Sequence, residues 1–279
     1  MAITTVDQAF TGMQDVVWNF KNFFAPGAAA RLVSSWGLGG QPAAGTYNTT
    51  LAGGTYVGGP ANANLVPGQI FRLDPPNPKR AYLGKVSVHT NGGSGSVGTI
   101  LVCDRLWDNG GITITSTGAQ TVNSVAWPAR DDNGTSNGQG VYVGVEVSVG
   151  TGAGTPGITV GYTNSAGTSG KTAGLSDATY ASTTAGAFFR SNTASGDRGV
   201  QSIQTVTLSS SWTSGTINLV AYRVLGVLAL NSNLTGTTFN FDAITGGFQR
   251  VWNGTCPFLL FISSNSASPS AIYYQESWG

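Results

Sequence analysis

The sequence predicts a mostly β chain: an antiparallel β-sandwich or jelly-roll-like body, preceded by an N-terminal helix and an extended arm. Three observations lead there. Val141, Val143, Val145, Val147 and Val149 alternate with Tyr142, Gly144, Glu146, Ser148 and Gly150, the period-two pattern of a strand with one buried face. Similar short runs recur down the chain between glycine-rich turns, with 41 glycines in 279 residues. Helical spacing is confined to the first 26 residues. Strands joined by turns, with no helix between them, belong to antiparallel sheets closed as a sandwich, jelly roll or barrel.

Residues 1–26 predict an amphipathic helix. Thr5-Val6-Asp7-Gln8 fits a capping box, in which the Thr hydroxyl and Gln amide satisfy N–H groups left open at a helix start. Ala9, Met13, Val16, Val17, Phe20 and Phe24 follow at helical spacing, and Pro26-Gly27 ends the pattern. The stripe of Met13, Val17, Phe20 and Phe24 is a candidate interface: it packs on its own domain or docks on a neighbouring subunit. Residues 27–84 are rich in Gly, Ala and Pro and end near the rigid run Asp74-Pro75-Pro76-Asn77-Pro78. Outside the short runs 51–57 and 69–73 they keep neither periodicity. They read as an arm laid over another protein or as loops across a sheet, and the arm is favoured because a long coreless stretch is uncommon inside a compact domain.

Residues 85–279 form the predicted β body. Val86 and Val88 alternate with Ser87 and His89, and a turn at 91–95 leads into a strand over 97–103. Further strands are expected at 112–115, 141–149, 158–162, 200–208, 217–224, 239–241, 258–262 and 272–275. The run LVAYRVLGVLAL over 219–230 fits a strand buried on both faces or a short helix, and Val220, Tyr222 and Val224 favour the strand. On this division, deleting residues 1–80 should leave a soluble β-rich fragment.

Charge is the unusual part of the composition. Only 9% of residues are Asp, Glu, Lys or Arg, against about 25% in an average soluble domain. A neutral polar surface with net charge +1 is poorly repelled by copies of itself and suits a protein that lives in an assembly. The 13 basic residues do not cluster, so nucleic acid is not an expected partner. No apolar run approaches ~18 residues, so no membrane span is expected, and MAITTVDQAF has no secretory pattern. Cys103 and Cys256 read as two buried thiols, with a disulfide depending on a proximity that sequence does not show.

No catalytic, cofactor or metal site is predicted. The single histidine, His89, ends an alternating strand without a visible nucleophile. One His and two distant Cys do not make a zinc ligand set, and the glycines form no phosphate-binding loop. A two-carboxylate glycosidase would draw on Asp104 and Asp108, beside Trp107, or on Asp131 and Asp132. Asp104 could instead pair with Arg105, and an aromatic at a hairpin end is more often a packing residue. The 131–133 stretch could hold calcium, but a plain Asx-turn loop is the simpler reading. Trp107, Trp127, Trp212 and Trp252 could line a sugar surface or serve as core anchors.

Taken together, CDRLWDNGGITITSTGAQTVNSVAWPARDDNGTSNGQGVYVGVEVS, GYTNSAGTSGKT, GVQSIQTVTLSSSWTSGTINLVAYRVLG and CPFLLFI resemble a family of tailed-bacteriophage virion proteins. The resemblance covers roughly residue 85 to the C-terminus, with a weaker echo in the N-terminal segment. It implies a capsid-associated, decoration (cement) or other structural protein of the virion, assembled in the host cytoplasm and contacting the major capsid protein or other virion subunits. The low charge and the apolar helix suggest a homo-oligomer, for which the resemblance implies a trimer; the resemblance supplies no active-site residues. A tail, neck or carbohydrate-binding receptor protein is the alternative.

Overall fold

The fold is all-β over the residues described by the computed structural model, which are 17–23, 31–58, 67–69, 83–90, 98–230, 239–242, 249–264 and 272–278. Its strands are β1 (Val17–Lys21), β2 (Leu32–Ser34), β3 (Gly40–Gln41), β4 (Gly54–Thr55), β5 (Leu83–Thr90), β6 (Gly98–Asp108), β7 (Gln120–Thr121) and β8 (Val141–Val149). They continue with β9 (Ile158–Asn164), β10 (Lys171–Leu175), β11 (Ala187–Asn192), β12 (Val200–Leu208), β13 (Thr216–Leu230), β14 (Phe239–Asp242), β15 (Pro257–Ser263) and β16 (Ile272–Trp278). One sheet has the order β14-β5-β16-β1-β3. The other runs β2-β15-β6-β13-β8-β11-β10-β9-β12-β7, with β4 beside β6 and a further β2–β11 pairing. The all-β class expected from sequence is what forms, and six strands of this sheet close an antiparallel barrel.

By contacts the chain divides into two units. One comprises 1–45, 58–104 and 224–279, and the other 46–57 and 105–223. In the first, β15 lies between β2 and β6, with Leu260 opposite Ser34 and Leu101. Val33, Trp36, Ile100, Val102 and Phe258 are fully buried there, and Phe23 meets Phe261 edge to face at 6.0 Å. In the second unit, β8 pairs with β13 and β11. Val141, Val143, Val145 and Val147 of β8 pack with Ile158, Val160, Ile203, Phe189, Trp107, Trp127 and Trp212 in one apolar core.

The alternating and apolar patterns translate directly into strands, with β8 buried on both faces over Val143–Val147. The strand read from 141–149 is β8, that at 200–208 is β12, and the apolar run 219–230 lies wholly within β13. The expected strand at 112–115 does not form. Ser116 N–H donates to the Thr113 carbonyl at 3.2 Å, and the Gln120 amide brackets Thr113, its Oε1 accepting from N–H at 2.7 Å and its Nε2 donating to the carbonyl at 3.0 Å. Backbone groups satisfied in this way need no ladder.

The N-terminal helix needs correction. Val17–Lys21 is a strand, paired antiparallel with β16 from Val17↔Glu276 to Lys21↔Ile272 and with β3 at Phe20↔Gln41. Val17 and Phe20 therefore belong to a strand and do not form a helical stripe, while Met13 and Phe24 lie outside the described residues. Val-Trp-Asn-Phe is β-branched and aromatic and accepts either state; the partner that decides it lies some 250 residues further along the chain.

The Gly/Ala-rich stretch also differs from an arm. Leu32, Val33, Ser34, Ser35 and Trp36 are buried, and Gly45 and Gly68 sit so close to the Trp36 indole that a Cβ at either would collide with it. Small residues there close the backbone over a large ring. Lys21, fully buried, donates from Nζ to the carbonyls of Leu38, Pro42 and Ala43 at 3.1, 2.7 and 3.1 Å. Burial pushes its ammonium down to about 8.

Deleting residues 1–80 should consequently unfold or aggregate the remainder. It removes Leu32, Val33 and Trp36, each worth roughly 1.5–3 kcal/mol of burial, from a total stability of about 5–15 kcal/mol. Circular dichroism and size-exclusion chromatography of the fragment check this; a monodisperse β-rich fragment would show the segment to be dispensable.

Candidate functional site

A buried polar cluster centred on Arg105 lies in the unit of residues 46–57 and 105–223. Arg105, on β6, is fully buried. Its Nη2 donates to Asp108 Oδ2 at 2.6 Å and its Nη1 to Glu146 Oε2 at 2.7 Å. Glu146 sits in the middle of β8, opposite Asn218 of β13. The rings of Tyr47 and Tyr56 lie 5.5 Å from the guanidinium carbon, within cation–π range. Asp108 Oδ1 accepts from Asn48 N–H at 3.1 Å, from Asn48 Nδ2 at 2.7 Å and from the Tyr56 hydroxyl at 3.2 Å.

The electrostatics follow from burial. Desolvation works to lower the Arg105 pKa, but Glu146 and Asp108 outweigh it and hold the guanidinium above its usual range. Burial, then the Glu146 charge, pushes the Tyr47 hydroxyl far up. Tyr56 rises for the same first reason, with Arg105 opposing and Asp108 adding. Arg105 thus remains a cation and both tyrosines remain neutral at any physiological pH. Both carboxylates pair with one guanidinium, and Asp108 also fastens Asn48 and Tyr56 to β6.

The other sequence candidates separate. Asp104 is buried, and its Oδ1 accepts the Cys256 N–H at 2.8 Å. Asp131 is buried in its own loop, with Oδ1 accepting from Asn133 and Thr135 N–H at 3.0 and 2.7 Å and Oδ2 accepting from the Thr135 hydroxyl and Gln139 N–H at 2.7 and 3.2 Å. That is the Asx-turn arrangement, and a cation would have to displace those donors. Asp132 is exposed, 3.7 Å from Arg223 Nη1; burial of its inner side raises its pKa, and the Arg223 charge opposes this. Cys103 and Cys256 are buried thiols that form no disulfide.

Of the tryptophans, Trp107, Trp127 and Trp212 are core anchors at 0–2% exposure. Their indole N–H groups donate to the carbonyls of Ala52, Val200 and Tyr180, which removes them from any sugar surface. Trp252 is half-buried under the Arg250 guanidinium, 3.8 Å from its ring centroid. Sequence reasoning missed Glu146 as a partner of Arg105. The available signal was a lone acid in the polar register of an otherwise uncharged strand.

A second feature of the same unit is an open cleft of about 640 Å³ between the turn into β9 and the far end of β10. Thr155, Gly157 and Thr159 line one side, Gly174, Ser176 and Asp177 the other, and Ser209 closes an end. Asp177 is held by Arg190, whose N–H, Nε and Nη2 donate to it at 2.7, 3.1 and 2.8 Å.

No protein-family model matches the chain, and no curated protein matches it. Among solved structures it aligns with "Structure of infectious bursal disease virus Gx strain", at 8% identity over 94% of this chain and 80% of that one, TM-score 0.19. It also aligns with "Crystal structure of infectious bursal disease virus VP2 subviral particle", at 8% identity over 94% and 79%, TM-score 0.19. Scores of this size do not establish a shared fold.

Replacing Arg105 by Met should cost about 3–5 kcal/mol, because two buried carboxylates lose their counter-ion. The triple variant R105M/D108N/E146Q should recover part of that loss, since no unpaired charge is left inside. Urea unfolding of the three proteins measures both effects.

Proposed function

We propose that this protein is a non-enzymatic structural component of a tailed-phage virion, a head decoration (cement) or minor capsid protein that binds the major capsid protein and stabilises the shell. The observation that carries the reading is the distribution of charge. Of 13 basic and 12 acidic residues, eight of those described are buried: Lys21, Asp104, Arg105, Asp108, Arg130, Asp131, Glu146 and Arg223. The outer surface is therefore even more neutral than the composition suggests, which favours close packing with other subunits over life as a dispersed monomer. The sequence resemblance to tailed-phage virion proteins supports the same reading. So does the use of Asp104, Asp108 and Asp131 as internal fastenings, which leaves the proposed glycosidase pairs without accessible partners.

Density for this chain at regular positions on the head is expected in a cryo-electron microscopy map of the particle, with the purified protein a trimer by light scattering. Absence from purified particles, or placement at the tail tip alone, would overturn the decoration role. Turnover of a polysaccharide that is lost on D132N, with the fold unchanged, would overturn the non-enzymatic one.

A further inference from the structure

The geometry points to the cleft between the turn into β9 and the far end of β10 as a binding site for a neutral saccharide, a function beyond the structural role above. The argument starts from Gly174. A glycine inside a strand weakens it and needs a reason. For three other strand glycines the reason is internal: a Cβ at Gly98 would strike the Ile262 carbonyl, at Gly144 the Phe188 ring, and at Gly161 the Thr205 hydroxyl. Gly174 has no positive φ, and nothing lies within 4 Å of where its Cβ would be. Neither backbone conformation nor packing within the chain demands it. Gly174 is solvent-exposed and lines the cleft beside Thr159, its partner in the β9–β10 ladder, where a side chain would narrow the opening.

The lining defines the chemistry of an occupant. Hydroxyls of Thr155, Thr159, Ser176 and Ser209 line the space beside Pro156 and Leu175; Ser176 Oγ donates to the Arg190 carbonyl and so presents an acceptor, and Ser209 Oγ accepts the Gly157 N–H and so presents a donor. The one carboxylate, Asp177, is neutralised by Arg190 and held flat by three donors, so it presents a fixed acceptor without excess charge. A hydroxyl-bearing, uncharged ligand matches this rim, whereas a phosphate or carboxylate would meet Asp177 before any free cation of the lining. At about 640 Å³ the cleft lies within the 300–1,000 Å³ range usual for small-ligand sites. A polypeptide strand is less favoured, since β10 is already paired on both edges, with β9 and β11.

The test uses the full chain and the variant Gly174→Leu, which fills the cleft from a position where a side chain meets no neighbour. Saturation-transfer NMR with maltotriose, chitotriose, lactose and sialyllactose should show transfer to at least one neutral sugar, weakened about tenfold or more in Gly174→Leu at unchanged thermal stability. Transfer to none of the neutral sugars, transfer unaffected by the substitution, or transfer to sialyllactose alone would overturn the inference. Gly174→Leu should enter particles as the wild type does. If it fails to do so, the cleft is an assembly contact that takes polypeptide, and the saccharide reading falls while the structural role stands.

Discussion

Burial of the Arg105 guanidinium is the constraint on which the unit of residues 46–57 and 105–223 depends. A buried cation is tolerable only when paired and hydrogen-bonded, and its two acids come from different places, Asp108 three residues on and Glu146 on β8. Satisfying it brings β6 and β8 to fixed positions, and satisfying Asp108 in turn calls in Asn48 and Tyr56. Arg130 extends the arrangement, donating to the carbonyls of Tyr56 and Arg105. A segment with little apolar content of its own is thus held in place by polar bonds. Such a network contributes little net stability over an apolar replacement, yet is costly to break at one member.

Glycine has a comparable part in both units. Gly45 and Gly68 admit the Trp36 ring, and Gly53, at φ +67°, lies against Trp107 and the Asp108 carbonyl. These contacts explain a composition that from sequence alone resembles linker. Where charge is scarce and helices are absent among the described residues, close approach of backbone to indole rings supplies packing that larger side chains would obstruct.

The same economy of charge bears on function. Ionic groups directed inward cannot repel neighbouring subunits, and a surface of Ser, Thr, Asn and Gly offers hydrogen bonds without strong desolvation cost. That combination favours extended, specific contact over solubility.

The sequence by itself determined the β class and the positions of those strands with one continuous buried face or a long apolar run. Valine alternation marks β8 because its side-chain period is set locally by backbone geometry; β12 was legible for the same reason, whereas β13 was read from its long apolar run and its β-branched Val220 and Val224. The short strands β10 and β11 were not, since Lys171–Leu175 is polar and glycine-containing and Ala187–Phe189 is buried without alternation. Tertiary structure alone decided that Val17–Lys21 is a strand, that Trp36 lies in a core, and that Arg105 pairs with Glu146 41 residues away. Each of these depends on a partner remote in sequence, and a ladder or ion pair takes its energy from that partner, which no local window contains.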